Sequence, residues 1–272
     1  MSLLRVPIRH LVCMALVFVT SPVAAQPVVP ELAAYAVLAV QDLSLRRGAR
    51  VTSGAAGAVG GTARLSRKAR VSGVLAAPTV LLARDTRRGA LFCHVVSGPA
   101  PLPGCNAFTD PLVDPALLQP PAVTPGSADL VVRPRTGMAP IPPGSFRDIR
   151  VGRGSVLQLA GGTYAARSLR LGAKARVVCI APCVVDVLET VRVKPLAELG
   201  AEASARADTA RVNVAAIGGS AFVARPGANV AATVFAPGTR VVLGPRGVYR
   251  GAFIGATVLV GAEATVRGDS GL

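Results

Sequence analysis

Two copies of one apolar pattern lie twenty residues apart between Ile149 and Cys179. Ile149, Val151, Ser155, Leu157 and Leu159 answer to Leu169, Leu171, Ala175, Val177 and Cys179, with Gly152 answering to Gly172. Within each copy apolar and polar residues alternate, which is the period of a strand with one buried face. The same doublets recur at Leu43–x–Leu45 with Ala49 and Val51, and at Leu65 with Ala69 and Val71. They recur again at Val191–x–Val193 with Ala197 and Leu199, at Val241–x–Leu243, and at Val258–x–Val260 with Ala264 and Val266. The Val212–x–Val214 copy fits poorly, and the register of residues 212–235 stays open.

An interval near 20 is too short for a helix pair and suits one turn of a solenoid, each turn burying its apolar side against the next. A β-sandwich would also alternate, but its strands need no constant interval. The expectation is therefore an all-β, single-stranded parallel β-helix with rungs of roughly 20 residues. Glycine at the bends tolerates positive φ, and alanine fits their crowded inside. A chain that is 51% hydrophobic with only 4% aromatics suits a narrow tube filled by Val, Leu, Ala and Ile.

Residues 1–25 carry Arg5 and Arg9, an apolar run from Leu11 to Val19, and Val23–Ala24–Ala25, which reads as a signal peptide. Residues 26–42 are expected to form an N-terminal cap, with Glu31 to Val40 either a capping helix or a first strand. Residues 43–97 hold the first rungs. Residues 98–144 contain twelve prolines and form an external excursion loop, with a short strand at Asp129 to Val132. Residues 145–272 are the main β-helix. No later stretch reaches membrane-spanning length, so the mature chain is expected to be secreted, periplasmic or at the cell surface.

Four cysteines follow the leader: Cys93, Cys105, Cys179 and Cys183. Export and an even count favour disulfides, with the local pairing Cys93–Cys105 and Cys179–Cys183 preferred among three connectivities. No metal or other cofactor is expected, since His94 is the only histidine after the leader.

The segment from Pro143 through Gly161–Gly162–Thr163–Tyr164 to Gly172, and the ending from Val234 to Gly255, resemble rungs of exported bacterial β-helix proteins of the surface- and pilus-associated type. The resemblance implies fold and implies no catalytic residues. Bactofilins are similar in their short valine–glycine rungs and polymerise end to end, but lack a leader.

The formal charge is +16, and +14 once Arg5 and Arg9 leave with the leader. In the repeat template Arg64, Arg150, Arg170 and Arg192 point outward from the first doublet, and Arg50, Arg70 and Arg176 from the last strand. Arginines stacked about 4.8 Å apart repel unless something neutralises them. An acidic polysaccharide or another envelope polyanion would do so, gripped by guanidinium forks. Nucleic acid is not expected, given export and few stacking aromatics. These residues point to a structural or adhesive protein, binding through an arginine ladder or self-associating. The competing expectation is a carbohydrate-active enzyme, a polysaccharide lyase or glycosidase, with Asp186 and Asp208 stacked one rung apart and Glu189 nearby.

Overall fold

The structure, a computed structural model, describes residues 31–100, 104–107, 112–202 and 205–269. Residues 1–25, expected as a signal peptide, lie outside the described residues. The chain forms a parallel β-solenoid of about 11 turns. Each full turn has three faces. A strand such as Gly162–Leu171 or Cys183–Val193 bends once and supplies two faces, and a short strand such as Arg176–Cys179 supplies the third. Face 1 holds Tyr164–Ala166, face 2 holds Leu169–Leu171 and face 3 holds Arg176–Cys179. A fifteen-stranded sheet wraps faces 1 and 2, and a nine-stranded sheet is face 3.

The apolar doublets of the sequence are the inward residues of face 2. The small residue that follows sits at the corner between faces 2 and 3. Ala49, Ala69, Ser155, Ala175, Ala197, Ala228 and Ala264 all lie there at 0% exposure. The preceding residue takes positive φ in every one of these turns: Gly48, Lys68, Gly154, Lys174, Leu196, Gly227 and Glu263. A proline stands just before it at Pro195 and Pro226. That pairing is the signature of a type II turn, where proline presets the first central residue. The positive-φ residue donates its N–H to the next turn, as Lys174 does to the Pro195 carbonyl (3.1 Å) and Gly227 to Pro245 (3.0 Å). The corner is thereby hydrogen-bonded along the axis as well as around it.

The order of turns along the axis differs from their order in the chain. Face 3 runs Val156–Leu159, Arg176–Cys179, Glu198–Ala201, Asn229–Ala231, Val248–Arg250, Thr265–Arg267, then Arg50–Ser53, Arg70–Val71 and Arg87–Arg88. The last turn of the chain thus stacks on the first. Val37 pairs with Phe253, Leu43 with Val258 and Arg50 with Thr265. From this seam residues 35–97 wind outward to one end. The chain next enters the tube at the opposite end, where Leu130–Val132 pairs with Ile149–Val151. Ten steps of about 4.8 Å give a tube about 48 Å long.

In the region expected as a cap, Leu32–Ala34 make one 3-10 turn. Tyr35–Leu45 is a strand of an interior turn, paired on both sides. Residues 112–118 of the proline-rich segment pack on the outside of face 1. Leu112, Val113 and Leu118 bury against Tyr35, Leu38, Ala55, Ala76, Phe92 and Ile254, forming a second core outside the tube. Gly57 has no side chain because a Cβ there would stand 2.8 Å from the Tyr35 ring. Burial pushes the Tyr35 phenol up to about 12. Farther on, Gly126 donates to the Phe146 carbonyl (3.1 Å) and Asp129 accepts two bonds from Arg147.

The local disulfides are present. Cys93–Cys105 (Cα separation 5.2 Å) ties the end of the first rungs to the excursion. Cys179–Cys183 (5.9 Å) closes the corner between faces 3 and 1. No helix among the described residues is long and apolar enough to cross a membrane.

Candidate anion-binding surface

The seven outward arginines of the repeat template fall into separate groups. On face 2, Arg150, Arg170 and Arg192 stand in register on consecutive turns. The column then changes character. Val223, Val242, Leu259 and Ser44 occupy the next four outward positions before Arg64. A single ladder holding all four arginines therefore does not exist. The interruption follows from the axial order, which inserts three late turns between residues 192 and 44.

Arg150 is moreover held by an internal partner. Its guanidinium donates to Asp148 at 2.8 Å, and Arg167 donates to the same carboxylate at 2.6 and 3.2 Å. The Ser168 hydroxyl donates a fourth hydrogen bond at 2.8 Å. Asp148 is only 2% exposed. The Arg167 bond, with those from Ser168 and Arg150, holds its carboxyl far below the usual carboxylate range despite burial. This network staples the bend between faces 1 and 2 on the penultimate turn. Arg176 is also paired, donating to Glu198 at 2.7 Å.

On face 3 the stacking is denser than the sequence pattern suggests. Arg50, Arg70 and Arg87 are in register on three consecutive turns. Arg250 and Arg267 form a parallel column beside Ser53. The adjoining corner adds Arg46, Arg47, Arg67, Lys68 and Arg84. Between residues 43 and 97 stand ten lysines and arginines and one carboxylate, Asp85. Asp85 meets Arg67 at 3.3 Å, with both side chains more than half exposed, so the pair contributes little. Arg50, Arg70 and Arg87 make no ion pair among the described residues. Two unit charges 4.8 Å apart repel by about 1 kcal/mol in water and about 3.5 kcal/mol near a protein surface. A bound anion between them would turn that repulsion into charge-assisted hydrogen bonds.

The candidate catalytic carboxylates do not converge. Asp186 pairs across turns with Asn213, whose Nδ2 donates to it at 2.8 Å. Asp208 lies in the 3-10 turn Ala207–Thr209, 3.5 Å from the Arg206 guanidinium. It precedes the strand Ala210–Val214 and lies five residues before Asn213, the residue level with Asp186, so the two carboxylates do not stack. Glu189 is exposed in the bend after Val187. The turn containing Asp208 is longer than the others, so a 22-residue step does not stack these groups. Among the described residues no three His, Cys, Asp or Glu side chains form a metal-ligand cluster.

Sequence reasoning missed Arg87, Arg250, Arg267 and Asp148. Arg87 follows Arg70 by 17 residues, off the 20-residue interval. Arg250 and Arg267 occupy the third position of face 3, outside the template. No protein-family model, curated protein or solved structure matches the chain.

Proposed function

We propose that this protein is an exported structural or adhesive β-helix that lays a linear acidic polysaccharide along face 3, gripping it at Arg50, Arg70 and Arg87. The in-register stacking of these three arginines, with five more cations on the adjoining corner, carries the reading. A repeating anion matches a repeating cation, and guanidinium forks donate paired hydrogen bonds to the oxygens of a carboxylate or sulfate. The two disulfides fit an oxidising compartment. End-to-end self-association is less well supported. The turn at the Leu130 end carries Pro134, Pro140, Pro142 and Pro143, which remove donors from that edge.

Retention on a heparin-type or acidic-glycan resin across a salt gradient tests the proposal. Wild type should bind at low salt and elute late. The triple variant Arg50→Gln, Arg70→Gln, Arg87→Gln should weaken about 100-fold, since three charge-assisted contacts of about 1 kcal/mol each are lost. Arg150→Gln, removed from a site already neutralised by Asp148, should elute close to wild type. No retention at low salt, or an unchanged triple variant, would overturn the proposal.

A further inference from the structure

A second basic site lies on face 2, distinct from the polymer surface and independent of it. Where the outward column changes from Arg192 to Val223, the surface dips. The resulting hollow, about 370 Å³, has Val223 in its floor and Arg170, Thr190, Arg192, Lys194 and Arg225 around it. Val223 is buried although it points outward, so the larger neighbours rise past it. Thr190 and Arg192 alternate on the outer side of the strand Cys183–Val193, and Lys194 follows directly after its end. Arg170 adjoins Arg192 in register. Arg225 follows Ala224, the partner of Val193, which brings it beside Lys194.

Four cations and a hydroxyl thus line one concavity, and no carboxylate does. None of the four makes an ion pair among the described residues. Asp148 is occupied by Arg150 and Arg167, so it does not neutralise the rest of the column. The seven residues Ala215–Ala221, replacing the tighter bend of the neighbouring turns, deliver Phe222–Ala224 to this place. A convex corner favours an extended polymer, whereas a hollow with donors on several sides favours one compact anion.

We propose that this hollow binds a single tetrahedral oxyanion, a phosphate or sulfate group. Arg192 and Arg225 would grip it from two sides, Arg170 and Lys194 would supply further charge, and the Thr190 hydroxyl would donate one hydrogen bond. The group is either a free ion or the charged end of a larger molecule, with the same recognition chemistry.

The experiment is titration of the full chain with inorganic phosphate, and separately with glucose 6-phosphate, at fixed ionic strength, with acetate as reference. Calorimetry and thermal melts give the readout. Wild type should show saturable one-site binding to at least one phosphate probe and a rise in Tm that acetate does not reproduce. The variant Arg192→Gln, Arg225→Gln should bind at least 10-fold more weakly while melting normally in acetate. The Arg50→Gln, Arg70→Gln, Arg87→Gln variant should bind phosphate as wild type does, which separates failure here from failure of the polymer surface. Saturation by inorganic phosphate assigns a free ion. Saturation by glucose 6-phosphate where inorganic phosphate has no effect assigns a carried group. Equal responses to phosphate and acetate, or unweakened binding by the Arg192/Arg225 variant, would overturn the site.

Discussion

Phe253→Ala should destabilise the protein by about 4 kcal/mol, lowering Tm by about 10 °C. Phe253 is fully buried and meets Tyr249 edge-on at 5.8 Å. It stands at the seam, between Val234 of the preceding turn and Val37 of the first. In a stacked repeat each turn is stabilised mainly by its neighbours, so a cavity at the seam weakens the hold on everything beyond it. Amide exchange should therefore accelerate more in residues 35–71 than in 162–193. A uniform loss of protection, or a cost under 1 kcal/mol, would show that the seam is not where the two parts are joined.

Asp148→Ala should cost about 3 kcal/mol. The carboxylate is buried and accepts from two arginines and a serine. Breaking such a pair usually costs 3–5 kcal/mol, and the lower end applies because Arg150 and Arg167 are about half exposed and rehydrate. The same group gives a pH signature. Its folded pKa is depressed, so its contribution is complete above the unfolded value of about 3.9. It is lost as pH falls from there through the lower folded value. Denaturant titrations at pH 7 and pH 3 should show the wild-type advantage over Asp148→Ala shrinking on the acid side. An advantage that stays constant between the two would mean Asp148 is not an ionised hub.

The turn architecture was legible because inward residues obey a simple rule. The Leu169–x–Leu171 doublet and the small Ala175 recur wherever a bend must be made and a tube filled. The axial order was not legible. The doublet at Leu43 is as good a neighbour for Val258 as for Leu65, and nothing local distinguishes them. Residues 212–235 resisted threading because Val212–Val214 belong to face 1, while Phe222 and Ala224 are the true doublet of face 2. The second core left a trace in Tyr35 to Ala39, five successive buried residues with no alternation, as two-sided burial requires. The basic surface was half legible. Arg50 and Arg70 fell on the interval, but Arg87 lay on a short turn. Arg64 and Arg192 were joined in sequence pattern and are parted by the seam. Asp186 and Asp208 were equated by a spacing that a longer turn invalidates.

Cross-linking across the seam tests the arrangement most directly. Ser44 and Leu259 are partners in register on face 2 and point outward, at a separation a disulfide can bridge. The variant Ser44→Cys, Leu259→Cys should form an intramolecular bond on mild oxidation, seen as a linked peptide pair by mass spectrometry. Ser97→Cys, Val131→Cys joins residues of the same outward column that would be neighbours if turns stacked in chain order and that here lie at opposite ends of the tube. A link between 97 and 131, with none between 44 and 259, would contradict the account.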